Sequence, residues 1–322
     1  MTAASPHALQ APGASSPKAG WRRRGANTLQ HSPRLSLWLL LAPPLLWFLL
    51  IYIGPLLGLL VQSVYTFDEF SMTVSRELTL ANLQQLFTNA SLVDIAVRSI
   101  TMALAVTLAC IALGYPVAYY MARHARGGAK GALYVAVMVP MWASYIVKAY
   151  AWTVILASDG IATWALDRLG LGGALATVLG LPLIGGNTLS TSHLGRFIVF
   201  TYMWLPFMIL PIQASIERIA PNLLLASADL GGGPLRTLWH VVLPLSVPGI
   251  AAGATFTFCL TFGDFIIPGL VGPAGDFLGT AVYRYQGAIG NMPMAAALTL
   301  IPIVVIGAWL WLARRLGAFD AL

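Results

Sequence analysis

The sequence predicts an all-α, polytopic membrane protein of six transmembrane helices, with both termini cytoplasmic and a helical cytoplasmic loop between helices four and five. Three observations carry that prediction. Of 322 residues, 58% are hydrophobic and only 9% charged, whereas a soluble domain carries roughly 25% charged residues. Six stretches stay apolar over the roughly 20 residues that a spanning helix needs. Lys and Arg between those stretches fall unevenly on alternating sides, as they do around membrane spans. With a mean hydropathy of +0.79, most of the chain has neither the composition of a disordered segment nor that of a soluble enzyme. Cys110 and Cys259 both lie inside apolar runs, which excludes a disulfide framework.

Residues 1–35 read as a disordered basic tail rich in Ala, Pro and Ser. Its Trp21-Arg22-Arg23-Arg24 suits anionic headgroups or serves simply as a topology anchor. Residues 36–322 form one membrane domain, its core over about 95–314. The first span lies within Leu35 to Phe67. Its apolar run is about twice a signal core of ~7–15 residues, and no small-residue cleavage site follows, so it reads as a retained helix. The second span runs from Ser99 to Ala122, and the third from Gly131 to Ser158 with Lys148 interrupting it. The fourth is Phe197 to Ile216; the fifth starts near Pro248, is crossed by Asp264 and fades at Val271. The sixth, Pro293 to Ala313, is closed by Arg314 and Arg315. Pro43, Pro44 and Pro55 are tolerable in a span, where neighbouring groups re-satisfy freed carbonyls. Gly54-x-x-x-Gly58 and Gly249-x-x-x-Gly253 fit close helix packing. Of the outer segments, 66–94 holds a possible short helix around Leu78 to Asn89, and 158–194 is rich in Gly and Leu. Asn89-Ala90-Ser91 matches a glycosylation sequon that reads as chance, and no internal repeat is present.

The charges set the orientation. The predicted inside segments hold Lys18, Arg22 to Arg24, Arg34, Arg123, Arg126, Lys130, Arg218, Arg236, Arg314 and Arg315, which is 12 cations against five outside (Arg76, Arg98, Arg168, Arg196, Arg284). Acids run the other way: seven outside, among them Asp68, Asp94, Asp159, Asp167 and Asp276, against Glu217, Asp229 and Asp320 inside. The net charge of +7 is therefore accounted for by topology and needs no nucleic-acid partner.

Self-contained catalysis is excluded on residue type. Gly127-Gly128-Ala129-Lys130 lacks the first Gly and the following Ser/Thr of a phosphate loop. The five histidines show no metal-ligand spacing, and there is no Gly-x-Ser-x-Gly elbow. At membrane depth the only ionisable groups are Lys148 and Asp264. No catalytic residue and no metal site are expected; the protein moves or holds something.

The loop over 217–247 is the most informative soluble segment. Pro221 suits the first turn of a helix, Asn222 to Leu230 continues it, and Gly231 to Gly233 stop it by admitting a left-handed backbone. Pro234 opens a second short helix that ends near Leu243-Pro244. The first helix carries Leu223, Leu224 and Leu225, an apolar patch of the kind that marks a partner site or that folds back onto the membrane interface.

The residues Leu225-Ala226-Ser227-Ala228-Asp229-Leu230-Gly231, followed by Trp239, Leu243-Pro244 and Pro248-Gly249-Ile250, resemble the "EAA" loop of permease subunits of ATP-binding-cassette importers. In that family Glu-Ala-Ala-x-x-Leu-Gly precedes an aromatic, Leu-Pro and Pro-Gly-Ile. Pro140-x-Trp142 with Lys148-x-Tyr150-Ala151-Trp152, and Gly263-Asp264-Phe265-x-x-Pro268-x-Leu270-x-Gly272, are similar to segments of spermidine/putrescine permeases. The resemblance covers roughly 37–314. It implies a type I importer permease of the bacterial inner membrane, transporting a small solute, a polyamine or another, by alternating access. It also implies partners: a cytoplasmic ATPase dimer, a second permease subunit that is a distinct chain, an extracytoplasmic substrate-binding protein and lipid. ATP and Mg belong to the ATPase, with no cofactor on this chain. The coupling residues are then Leu223, Leu224, Leu225, Ala226, Ser227, Ala228, Asp229, Leu230 and Gly231. Two positions depart: the family's Glu falls on Leu225 and its second Ala on Ser227, so docking leans on Leu223 to Leu225.

Asp264, about 15 residues into the fifth span, lies roughly 22 Å along a continuous helix. An ionisable group at that depth lines a pathway or pairs with a partner; the alternatives are a polycation's route, a pair with Lys148 or a hydrogen-bonded helix break. Lys148 itself either lines the path or snorkels to the interface. Tyr145 and Trp204 offer faces for an ammonium group or belong to an interfacial belt. An ATPase-independent secondary transporter would require paired broken helices in two related halves, and the sequence displays one break, at 263–269. A purely structural scaffold leaves the glycine-punctuated loop without a use.

Overall fold

The computed structural model describes residues 33–182, 184–273, 275 and 277–317. The expectations for residues 1–32, including Trp21 to Arg24, and for Asp276 and Asp320 lie outside the described residues. The chain divides into two compact units, Met1–Leu59 and Leu60–Leu322.

In the first unit, helix α1 (Pro33–Phe48) passes through a π-helical turn at Leu49–Ile53 into α2 (Gly54–Gln62). The wide turn ends just before Pro55, whose missing N–H would leave the Ile51 carbonyl unpaired in an α-helical register. The helix thus starts within the predicted tail, at Pro33. None of the residues over 37–59 is buried, and Gly58 faces open space.

The second unit opens on an antiparallel hairpin of β1 (Tyr65–Asp68) and β2 (Thr73–Leu78) where the first apolar run had been read through Phe67. The Asn82 amide on α3 (Ala81–Thr88) fixes its base, donating to the Ser63 and Tyr65 carbonyls at 3.0 and 2.8 Å. Asn89, the sequon residue, instead caps α4 (Ala90–Arg123) by accepting from the Ser91 N–H at 3.0 Å. Then come α5 (Gly127–Trp142) and α6 (Tyr145–Ile155), bent by 95° at residues 143–144. The Gly- and Leu-rich segment over 158–194 forms α7 (Ile161–Arg168) and α8 (Gly172–Leu179). The fourth span, α9 (His193–Glu217), is capped by Ser192.

The predicted loop appears as α10 (Pro221–Asp229) and α11 (Pro234–Thr237), with a π turn at Leu238–Val242 leading into α12 (Leu243–Phe262). Short helices α13 (Ile266–Leu270), α14 (Leu278–Gly287) and α15 (Met292–Leu298) precede α16 (Leu300–Arg315). Among the described residues five helices are long and apolar enough to cross a membrane, and six if the bent pair α5–α6 is one span. Two expectations change here. The fifth helix stops at Phe262, so Asp264 stands beyond its end rather than inside it. The third span is broken as well, so there are two breaks where one was expected.

The core of the second unit is built on α9, which packs against α4 and α12. Gly249 and Gly253 bring α9 and α12 backbone to backbone. A Cβ at Gly249 would lie 2.6 Å from the Pro211 carbonyl oxygen, and one at Gly253 would lie 3.1 Å from the Met208 Cα. That close approach is what a small-x-x-x-small seam provides in lipid.

Arg196, at the start of α9, is 1% exposed. Its Nε donates to the Val271 carbonyl at 2.8 Å, and Nη2 to the Pro268 and Pro273 carbonyls at 3.3 and 3.2 Å. Its guanidinium also lies 4.3 Å over the Phe277 ring. These carbonyls are left over where α13 ends, so the cation replaces their helical partners. Gly272 makes room: its φ is +109°, and a Cβ there would sit 2.5 Å from the Arg196 Cζ. Gly272→Ala is expected to cost about 1–3 kcal/mol through backbone strain alone. Arg196→Lys should destabilise as well, because an ammonium lacks the planar fork. Thermal unfolding of the purified protein in detergent checks both; midpoints equal to the parent's would show that the loop does not depend on this clasp.

Candidate functional site

Two places gather the sequence's candidate residues. The first is α10 and its exit. Pro221 occupies the first turn, where its missing N–H costs nothing. The C-terminal end is closed by the Gly231 N–H on the Ala228 carbonyl (2.9 Å) and the Gly232 N–H on the Ser227 carbonyl (2.8 Å). Gly231 has φ +77°, the left-handed conformation expected there. Consecutive helical residues point about 100° apart, so the three leucines cannot share one face. Leu224 turns inward and packs on the core, while Leu223, Leu225 (62% exposed) and Leu230 (88% exposed) face outward. The Ser227 hydroxyl lies 2.8 Å from that of Thr237, tying α10 to the helix that follows. A cleft of about 430 Å³ between them is lined by Leu223, Ala226, Ser227, Leu230, Arg236 and His240, among others.

The second place is where the two broken spans meet. Asp264, one residue before the N-cap Phe265, ties down the start of α13: Oδ1 accepts from the Ile266 and Ile267 N–H groups at 2.7 and 3.1 Å. Its Oδ2 accepts from the Tyr145 hydroxyl at the start of α6. The Tyr145 ring stacks on Trp204 of α9, centroids 5.8 Å apart and 19° from parallel, and Trp204 meets Phe207 edge-on at 5.8 Å. Trp204 Nε1 is buried without a hydrogen-bond partner. So Asp264, Tyr145 and Trp204 form one cluster. Lys148 does not join it: its Nζ donates to the Pro140 carbonyl at 2.7 Å, across the bend between α5 and α6. The predicted alternative of a Lys148–Asp264 pair is replaced by two separate repairs of interrupted helices. Chain crowding holds the cluster in place, since a Cβ at Gly279 would lie 2.5 Å from the Asp264 carbonyl oxygen.

The sequence reading missed Arg196, counted there merely as an outside cation. Its signal was available in hindsight only as a cation at the start of an apolar span facing a Pro-Gly-rich segment; the carbonyls it serves lie 72–77 residues away. Among the described residues no group of His, Cys, Asp and Glu side chains could hold a metal ion.

A family model described as "Binding-protein-dependent transport system inner membrane component" matches residues 114–317. The inner membrane ABC transporter permease protein YdcU of Escherichia coli (strain K12) is 61% identical over 292 residues, covering 91% of this chain and 93% of that protein. The spermidine/putrescine transport system permease protein PotB of the same strain is 31% identical over 274 residues, 84% of this chain and 94% of that one. Among solved structures, a bacterial ABC transporter involved in the import of the acidic polysaccharide alginate aligns with a TM-score of 0.63 at 19% identity, over 91% of this chain and 99% of that one. The MetNI methionine ABC transporter, in inward-facing conformations, aligns with a TM-score of 0.53 at 17% identity, over 72% and 96%. At those identities the two structures speak for the fold. On the family model and the near full-length relatives, this chain belongs to the inner membrane components of binding-protein-dependent transport systems and is a multi-pass, non-catalytic permease subunit of an ABC importer.

Proposed function

We propose that this permease forms half of the path for a polyamine-type cation, moved by alternating access, with α10 and Gly231 as the seat of a cytoplasmic ATPase. The observation that carries the coupling role is the loop itself: a proline-started helix between two spans, closed by a left-handed glycine, turning Leu223, Leu225 and Leu230 away from the core. Burying one leucine yields about 1.5–3 kcal/mol, enough for such a helix to dock without the carboxylate that Leu225 replaces. The partners are an ATPase dimer that binds ATP and Mg, a second and distinct permease chain, and an extracytoplasmic binding protein that delivers solute. The distribution of Lys and Arg supports both termini, and the α10 loop, on the cytoplasmic side.

Substrate class rests on two supports. One is the set of PotB relatives. The other is the acid–aromatic cluster of Asp264, Tyr145 and Trp204 at a break in the spans, where an ammonium group meets both a carboxylate and ring faces. The two breaks would also suit an ATPase-independent transporter, but membership of the ABC importer family favours the ATP-driven cycle.

Two variants test these roles in transporter reconstituted with its ATPase and binding protein. Gly231→Asp places a charge and a strained residue at the docking surface; uptake should disappear while the complex still co-purifies, and normal uptake would remove the loop from coupling. Asp264→Asn keeps an oxygen for the start of α13 and removes the charge. A hydrogen bond to a charged group is worth about 1.5–3 kcal/mol, so cation uptake should fall about tenfold or more with basal ATP hydrolysis retained. Unchanged uptake kinetics would take Asp264 off the path.

A further inference from the structure

Helix α5 stands apart from the other spans. None of its residues over Gly127–Trp142 is fully buried; Leu133, Tyr134 and Val137 rest on the core while half-exposed, and the helix packs mainly against α9. Polar joints hold it at both ends. At the foot, Lys130 Nζ lies 2.6 Å from Glu217 Oε1 at the last residue of α9. The same oxygen accepts from Gln213 Nε2 at 2.9 Å, and Gln213, itself buried, also meets the Tyr134 hydroxyl. At the top, Lys148 crosses the bend to the Pro140 carbonyl, and Tyr145, three residues past the end of α5, reaches Asp264.

The foot lies beside the coupling loop. Only three residues separate Glu217 from Pro221, the first residue of α10. From the other side, Arg123 Nη2 donates to the Ile216 and Ile219 carbonyls at 2.7 and 3.0 Å, bracing the end of α9 against α4. A 16-residue helix spans about 24 Å, so α5 links the base of the loop to the break at Tyr145. An element with few buried contacts is cheap to move, and a rigid helix held at its ends turns a shift at one into a shift at the other.

We propose that α5 is the lever of the transport cycle and that the Lys130–Glu217 pair, aligned by Gln213 and Tyr134, is the joint through which movement of α10 reaches the Tyr145–Asp264 cluster. Lys130 and Glu217 are positioning residues; they act through α5 and meet no solute. The inference rests on the coupling role assigned above to α10 and Gly231.

The test is a charge exchange in the complete transporter, permease pair, ATPase and binding protein, reconstituted in vesicles with uptake and ATP hydrolysis measured together. Coupling between two binding sites is typically worth about 5–150-fold in affinity, and the low end of that range sets the scale for a joint that transmits movement. Lys130→Glu and Glu217→Lys should therefore each lower solute moved per ATP by about fivefold or more, and the double exchange should restore it. Single reversals with parental coupling, or a double exchange no better than the worse single, overturn the proposal. Lys130→Arg against Lys130→Met repeats the comparison without a reversed charge, should reversal impair assembly: Arg retains coupling and Met loses it, and equal ratios for the two overturn the joint. Gly231→Asp run in parallel separates the two readings. Uptake lost there but intact in Lys130→Glu sinks the lever alone, whereas parental uptake in Gly231→Asp sinks the coupling role on which it rests.

Discussion

A backbone N–H or C=O without a partner in hydrocarbon costs several kcal/mol, and that constraint organises the charged residues of this permease. Asp264, Lys148, Arg196 and Arg123, found at an interruption or at the end of a span, serve freed backbone. Asp264 takes the N–H groups of Ile266 and Ile267, and Lys148 takes the Pro140 carbonyl. Arg196 takes the carbonyls of Pro268, Val271 and Pro273, and Arg123 those of Ile216 and Ile219. Lys148 serves the break at 143–144, and Asp264 and Arg196 serve the one at 263–265 and the segment after it. Irregular backbone at membrane depth is tolerated only where protein or a wet cavity surrounds it, and these side chains supply that protein cover.

The same accounting defines what Asp264 has left to offer a solute. A carboxylate provides about four lone-pair sites. Ile266, Ile267 and Tyr145 use three of them, which leaves room for one further donor beside the stacked faces of Tyr145 and Trp204. The group is thus held in place by the fold, and the cation-binding role proposed for it calls on that one remaining site. Polar joints of this kind suit a moving element: a few directional bonds can be exchanged between two states, whereas a broad apolar seam such as that at Gly249 and Gly253 resists sliding. The division of labour in the second unit follows that logic, with tight seams among α4, α9 and α12 and sparser contacts around α5, apolar along Leu133 and Val137 and polar at its ends.

Much of the architecture was legible from local pattern. Apolar runs located the spans, prolines and glycines at 221, 231 and 234 located the α10 loop, and small residues four apart located the α9–α12 seam. What escaped was decided across long separations. The bend at 143–144 has no glycine or proline at its vertex; it is held by Lys148 reaching back to Pro140 and by Tyr145 meeting a residue 119 positions on. Arg196 looked like an outer-loop charge because its carbonyl partners lie in another segment. The hairpin over 65–78 and helices α7 and α8 escaped because short elements carry no span-length signal, and the hairpin depends on Asn82 reaching back to Ser63 and Tyr65.

Structure also separates the two departures from the importer-loop pattern. Ser227, in place of an alanine, is absorbed internally: its hydroxyl meets Thr237, and its carbonyl accepts from the Gly232 N–H. A Cβ at Gly232 would lie 2.6 Å from that hydroxyl oxygen, so the serine and the glycine fit each other and nothing outside the chain need adapt. Leu225 is different. It is 62% exposed, on the side of α10 opposite Leu223 and Leu230, so its side chain stays open to a partner. A docking groove shaped for a glutamate would leave its own cation unpaired against Leu225, at a cost comparable to a buried unmatched charge. On the coupling role proposed for α10, the partner's surface is therefore expected to be neutral and apolar at that point, and the requirement falls on that partner rather than on this fold.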